Sequence, residues 1–236
     1  MEQELQNQYF TEKPIMKLLG KGNTAEVFEY ADGKVCKLFY EGYPREYVEL
    51  EFQNAKEMYN SKIKIPEPFQ TVTVENRHGI IYEKIEGETL LNIMNADGEN
   101  FEEYLEIFVK LHQDIVSWHT KNALSYKEYL TKMVKSKTTD YRIVLDKIKA
   151  LPDDDCILHG DFHPNNILIN KDGEPIVIDF MNVCYGPALY DVARTYFLIK
   201  QYNDNLAERY LKKMNVSKGN IAEYMDIIEL CHKYES

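Results

Sequence analysis

One stretch constrains this chain more than any other. It is the run Ile157-Leu158-His159-Gly160-Asp161-Phe162-His163-Pro164-Asn165-Asn166-Ile167-Leu168-Ile169, followed by Ile176-Val177-Ile178-Asp179-Phe180. The apolar runs 167–169 and 176–178 are separated by the turn Asn170-Lys171-Asp172-Gly173, so they are expected to pair as a hairpin. Two aspartates and an asparagine flank that hairpin, each beside apolar strand residues, and can aim three oxygens into one cleft. Magnesium takes few carboxylates alongside phosphate oxygens and water, and Asn166 with Asp179 suits it. Asp161 is then free to accept the proton of an attacking hydroxyl. Either motif alone is readily a surface turn or a buried Asp-Phe. The pair, in this order and spacing, carries the argument.

The segments on either side suggest an α+β, two-lobed architecture. Residues 15–19, 25–30 and 34–40 read as β-strands, with Asp32-Gly33 as a tight hairpin turn. Residues 43–60 read as a helix, with Tyr47, Leu50, Asn54 and Met58 at helical spacing. Residues 69–74 and 79–84 read as strands joined by the turn 75–78. This is a small antiparallel sheet crossed by one helix. Residues 85–87 read as a linker, giving an N-terminal lobe over 1–84 and a helical lobe over 88–236. Residues 101–120 form the clearest amphipathic pattern, with Phe101, Leu105, Phe108, Leu111, His112, Ile115, Trp118 and His119 on one face. Residues 126–150 read as one or two helices. The chain from Gly186 onward is helical by pattern, broken near Ser217-Lys218-Gly219.

Composition excludes several function classes. Lys plus Arg number 28 against 39 Asp plus Glu, a formal charge of -11. Nucleic acids and anionic membranes attract basic surfaces, so neither is an expected partner. An acidic surface aids solubility and slightly favours a cationic small-molecule partner. Cys36, Cys156, Cys184 and Cys231 are widely spaced and form no Cys-x-x-Cys pair, which argues against a metal site or a disulfide framework. Cys36 and Cys156 lie in apolar runs and read as core residues. The opening residues MEQELQNQYF lack the pattern of a signal peptide, and no apolar run approaches membrane-spanning length. A cytoplasmic setting is expected.

The form His-Gly-Asp-x-His-Pro-x-Asn, with Ile-Asp-Phe after a short hairpin, resembles aminoglycoside phosphotransferases, choline kinases and related small-molecule kinases. By that resemblance Asp161 is the catalytic base or hydroxyl orienter, and His163 stabilises the transferred phosphate. Asn166 and Asp179 hold Mg2+. Gly20, Lys21, Gly22, Asn23 and Thr24 stand in a glycine-rich nucleotide loop whose third glycine is replaced by Ala25. A Walker A loop needs glycine where Ile15 stands, and a Rossmann fingerprint needs a helix after the glycines. Lys37, in Val35-Cys36-Lys37, matches the strand lysine that meets ATP phosphates. Glu51 is its favoured helix partner, with Glu49 and Glu46 as alternatives. Glu83 C=O and Ile85 N–H would read the adenine, sandwiched by Val27, Val35, Leu168 and Ile178. Asp191 matches an aspartate that steadies the catalytic loop, and a helix N-cap is its other reading. Arg194 reads as a partner or an exposed side chain.

Few residues separate Asp179 from the expected helix near Gly186-Pro187, and no Ala-Pro-Glu follows. A protein kinase uses a longer segment there, so the resemblance favours the small-molecule branch. It implies transfer of the ATP γ-phosphate to a hydroxyl of an aminoglycoside, choline-like, amino-alcohol or sugar acceptor. An inactive nucleotide-binding module is the alternative reading, and a protein kinase is a more distant one. Asp191, Glu223, Asp226, Glu229 and the C-terminal Glu235-Ser236 are the acidic candidates for meeting an acceptor.

Overall fold

The computed structural model describes residues 17–137 and 142–233. Five antiparallel strands form the first sheet, in the order β1-β2-β3-β5-β4. They are β1 (Leu18–Lys21), β2 (Ala25–Ala31), β3 (Lys34–Phe39), β4 (Pro68–Val74) and β5 (Arg77–Glu83). Ile15 and Met16, where the first strand was expected to begin, lie outside the described residues. The β2–β3 hairpin closes at Asp32-Gly33, with Gly33 at φ +71°. Between β4 and β5 the turn is tighter than the sequence suggests, only Glu75-Asn76, and Glu75 takes φ +55°.

Side chains alternate across these strands. Cys36, Leu38 and Ile81 pack with Phe28, Tyr30, Val72 and Val74 on one face. Phe39, Ile80 and Tyr82 join the main core with helix α1 (Arg45–Tyr59). The buried stripe of α1 is Val48, Glu51, Asn54, Ala55 and Met58. Of the residues expected on one face, Asn54 and Met58 are buried, whereas Tyr47 is exposed and Leu50 half-buried, which shifts the face in the first half of the helix. A hydrophobic reading favours Tyr47 and Leu50 because the true face carries the Glu51 carboxylate between Val48 and Ala55; Asn54 is its second polar group. Both polar groups have partners across the interface, described below.

The segment taken as a linker ends in strand β6 (Gly87–Thr89). It pairs with β8 (Ile167–Asn170), which pairs with β9 (Pro175–Val177), so the expected hairpin gains a third strand. A Cβ at Gly87 would lie 2.3 Å from the Ile169 carbonyl oxygen, so only glycine allows this approach. Helix α2 (Leu90–Ala96) follows, its start capped by Thr89 Oγ1 accepting the Asn92 N–H.

Helix α3 (Phe101–Val116) stops four residues short of the expected end, and Trp118 and His119 lie beyond it. Two helices, α4 (Tyr126–Lys137) and α5 (Arg142–Ala150), follow. A short strand pair, β7 (Cys156–Leu158) with β10 (Cys184–Gly186), was not foreseen. Three residues each carry too little pattern to read. The C-terminal helices are α6 (Ala188–Lys200), α7 (Asp204–Lys213) and α8 (Lys218–His232). The break at 201–203 was not anticipated. A capping box between Ser217 and Asn220 opens α8 at the expected break. Helix α6 is buried from Tyr190 to Phe197 and forms the centre of this helical part. All four cysteines are buried free thiols. Among the described residues, no helix is long and apolar enough to cross a membrane.

Candidate active site

Lys37 meets two acidic side chains at once. Its Nζ donates to Glu51 Oε1 at 2.8 Å and Oε2 at 3.0 Å, and to Asp179 Oδ1 at 2.9 Å. Strand β3 supplies Lys37, the buried face of α1 supplies Glu51, and the turn after β9 supplies Asp179. Glu51 is wholly buried and also accepts the Tyr82 hydroxyl at 3.2 Å. The alternatives lie elsewhere: Glu49 pairs with Arg45, and Glu46 is exposed. Burial pushes the Glu51 carboxyl up more than Lys37 draws it down. Burial alone would lower the Lys37 ammonium, but Asp179 and Glu51 outweigh it and raise it above the ordinary value. Burial would likewise raise Asp179, and the Lys37 charge overrides it and holds the carboxyl low.

Asp179 has φ +70°, uncommon for a residue with a side chain. Two ties hold the backbone there. Phe180 O accepts from Asn54 Nδ2 at 3.0 Å, and Ile178 N–H donates to Asn166 O at 3.0 Å. Asn54, the second polar residue on the buried face of α1, thus fixes the turn that presents Asp179.

Asp161 follows β7 in a loop pinned from below. Asp191, in the first turn of α6, accepts His159 N–H at 2.8 Å and Gly160 N–H at 2.9 Å. It lies inside the helix, so the N-cap reading does not hold; Pro187 occupies that position. Arg194 Nε donates to Gly160 O at 3.2 Å, so Arg194 is a buried partner of the loop. Gly160 has φ +75°, and a Cβ on it would lie 2.3 Å from Asn182 O. Burial lowers the His159 imidazole, which favours the neutral form. Its Nε2 then donates to Ile178 O at 3.2 Å, and Nδ1 accepts the Asp161 N–H at 3.4 Å.

Asn166, at the end of a 3-10 turn begun by Pro164, donates Nδ2 to Asp161 O at 2.9 Å and to Asp161 Oδ2 at 3.2 Å. Both acceptors lack hydrogens, so the amide oxygen faces away from Asp161. His163 Nε2 lies 3.7 Å from Asp161 Oδ2. Burial would raise the Asp161 carboxyl, but the His163 interaction outweighs it and keeps it below the ordinary value.

The remaining predicted residues lie on or just beside strands β1, β2, β3, β5, β8 and β9. Val27 and Lys37 are direct cross-strand partners, and Val35 shares their face of the sheet. Val27, Val35, Leu168 and Ile178 are all half-buried, which distinguishes them from the fully buried core around them. Gly22 N–H donates to Ala25 O at 2.9 Å, and the Tyr40 hydroxyl donates to Gly22 O at 2.8 Å, shaping the loop of Gly20, Asn23 and Thr24. Lys21 pairs with Glu26 at 3.4 Å. Glu83 N–H donates to Glu67 O and Lys84 N–H to Gly33 O, while Ile85 N–H has no hydrogen-bond partner among the described residues.

Sequence reasoning missed a buried network beneath the loop. His112, on α3, places Nε2 3.1 Å from Asp191 Oδ2 and Nδ1 2.6 Å from the Tyr210 hydroxyl of α7. A histidine in an apolar helix face, as His112 is, was the available signal. Asn182 was missed too; its Oδ1 accepts the Tyr129 hydroxyl at 2.9 Å. Of the acidic acceptor candidates, Asp191 is fully buried and committed to the loop, so it cannot meet an acceptor. Glu235 and Ser236 lie outside the described residues.

A two-lobed kinase-like fold with an Asp-Asn-Asp-Lys cluster in its cleft defines a class of phosphoryl-transfer proteins. The sequence matches the phosphotransferase enzyme family over residues 16–214, so the chain belongs to that family, whose members are small-molecule kinases. Searching curated proteins yields no match. Among solved structures, a thermostable mutant of aminoglycoside phosphotransferase APH(4)-Ia is similar, with TM-score 0.68, 17% identity, and coverage of 94% of this chain and 86% of that one. Aminoglycoside-3'-phosphotransferase of type VIII gives TM-score 0.68 at 14% identity, covering 92% and 94%. APH(3'')-Id from Streptomyces rimosus, in complex with ADP and streptomycin, gives 0.63 at 14%, covering 92% of each.

Proposed function

We propose that this chain transfers the γ-phosphoryl group of ATP, as its magnesium complex, to a hydroxyl of a small molecule. The observation that carries the reading is the junction of two hydrogen-bonded sets. Lys37 with Glu51 and Asp179 forms one, and Asp161 with Asn166 forms the other, with His163 Nε2 3.7 Å from the Asp161 carboxylate. The Asn166–Ile178 backbone bond joins them.

Each residue has a distinct part. Asp161 is ionised at neutral pH, orients the acceptor hydroxyl and takes up its proton. Lys37 neutralises phosphate oxygens, and Glu51 fixes its ammonium by two bonds. His163 stands beside Asp161, where a ring N–H can donate to the phosphoryl oxygens. The loop of Gly20, Lys21, Gly22, Asn23 and Thr24 covers the phosphates; a Cβ at Gly20 meets no protein atom, so packing within the chain does not require glycine there. Glu83 C=O and Ile85 N–H read the adenine between Val27, Val35, Leu168 and Ile178.

The donor set fits magnesium. Asn166 Oδ1 is turned away from Asp161, and Asp179 has one carboxylate oxygen beyond the one held by Lys37. These are hard oxygen donors, few in number, as this ion prefers when phosphates complete its shell. When bound, it would supply charge neutralisation at the phosphates.

Related solved proteins support the nucleotide and acceptor classes. One carries ADP and streptomycin, and another carries AMP-PNP and hygromycin B. The formal charge of -11 favours a cationic acceptor here. The test is magnesium-dependent ATP turnover against aminoglycosides, choline, ethanolamine, homoserine and sugar alcohols, with Asp161→Asn as the blank. Acceptor-stimulated turnover absent from the blank is expected. Tight binding of Mg-ATP without turnover would favour the inactive nucleotide-binding module, and no nucleotide binding would overturn the reading.

A further inference from the structure

A second group of chemically potent side chains lies at the other end of β7 from Asp161. A ring nitrogen of His119, a carboxylate oxygen of Asp154 and Sγ of Cys156 lie within 4.8 Å of one another. They come from two segments that the backbone ties together. Thr120 N–H donates to Asp155 O at 2.9 Å, Ile157 N–H donates to Trp118 O at 2.7 Å, and His119 and Cys156 form an antiparallel bridge. The three donors therefore do not depend on a floppy loop for their meeting.

We propose that His119, Asp154 and Cys156 bind a borderline-soft divalent cation of the zinc class, distinct from the magnesium of the phosphoryl-transfer site. Imidazole, thiolate and carboxylate together are a zinc-type set, whereas magnesium favours oxygen donors alone. Tetrahedral ligands stand closer together than 4.8 Å, so the donors draw inward by about 1 Å as the ion enters.

Each donor has capacity to spare. His119 Nδ1 is 2.7 Å from Asp155 Oδ1. Asp155 holds the ring from behind when Nε2 is the ligand, or stands beside the ion when Nδ1 is. One Asp154 oxygen accepts the Asp155 N–H at 2.8 Å, which leaves the other. Cys156 is only 7% exposed, so its sulfur closes the inner side of the site. Asp154 also lines an adjoining cavity of about 410 Å³, with Asp153, Asp155, Lys121, Tyr126 and Tyr185, through which water reaches this donor. An ion here would clamp the start of β7, the strand that leads into the catalytic loop.

The test uses the full chain and the metals alone. Cobalt, a spectroscopic stand-in for zinc, is titrated into the chain while the near-ultraviolet thiolate-to-metal band is recorded, and zinc affinity is measured by chelator competition. One cobalt per chain with a thiolate band is expected, with the band lost in Cys156→Ser. Zinc affinity is expected to fall about tenfold or more in His119→Ala. His119 is exposed, so that variant does not disturb the core. A wild-type chain without the thiolate band, or His119→Ala with unchanged zinc affinity, overturns the inference. Asp179→Asn is expected to keep the band, so failure of the kinase reading and failure of this one are told apart.

Discussion

Asp191 receives the Gly160 N–H at 2.9 Å, so a buried carboxylate on α6 sets the backbone that carries Asp161. Its second oxygen takes the His159 N–H and the His112 ring. Asp191→Ala would strand two buried N–H groups and an imidazole. The expected cost is about 3–5 kcal/mol, read as a lowered urea midpoint. A loss below about 1 kcal/mol would mean that the loop holds itself.

Lys37→Met is expected to destabilise by about 3 kcal/mol, because it leaves the Glu51 carboxylate buried without its cation. Adding Glu51→Gln removes the orphaned charge, so the double variant should regain most of that stability while remaining inactive. Chemical denaturation of the three proteins gives the comparison. A double variant no more stable than Lys37→Met would refute the charge argument.

Asp161→Asn keeps the shape of the loop and removes the carboxylate proposed to take up the hydroxyl proton. Turnover is expected to fall about 10²–10⁴-fold with the nucleotide dissociation constant nearly unchanged. Equal losses in both would place Asp161 in nucleotide binding instead.

Stability should fall with acid in two windows. His159 is buried with a lowered pKa, so the unfolded chain gains its proton first as pH drops through about 6.5. That loss stops once the folded form also takes the proton. Asp161, Asp179 and Asp191 are held below 3.8, so their contribution is complete above that value and disappears as pH falls through the folded values. Glu51, raised above 4.5, acts oppositely and weakly favours folding near and below that pH. Urea midpoints from pH 8 to 2.5 test this, and the upper window should vanish in a His159 variant that folds.

Gly160→Ala combines a left-handed backbone with a Cβ 2.3 Å from Asn182 O. It should cost more than about 2 kcal/mol and displace Asp161, whereas Gly33→Ala, with open space around it, should cost only about 1 kcal/mol. Comparable thermal midpoints for the two variants would contradict this.

Much of the site is legible because its residues must be of a particular type. Asp161, Asn166 and Asp179 sit beside a hairpin whose pattern is plain, and Lys37 sits in an apolar strand. The face of α1 is only half legible from hydrophobicity: Asn54 and Met58 fall on it, but Glu51 is buried for its long-range partner Lys37 and displaces Tyr47 and Leu50. His112 looks like one more residue in a helix face, and only the arrival of α6 and α7 gives it Asp191 and Tyr210. Strands β6, β7 and β10, of three residues each, exist because distant partners pair with them. Three residues span barely more than one two-residue strand repeat, too few to separate a pattern from chance.

The junction of Lys37, Glu51 and Asp179 has a kinetic consequence. These three groups already touch in the chain alone, so folding itself has overcome the desolvation and ordering that such charges demand. On the proposed function, a nucleotide arriving at these three groups would meet a finished receptor. Its association is then expected to be a single fast phase, governed by diffusion and charge rather than by a slow rearrangement of the helix that bears Glu51.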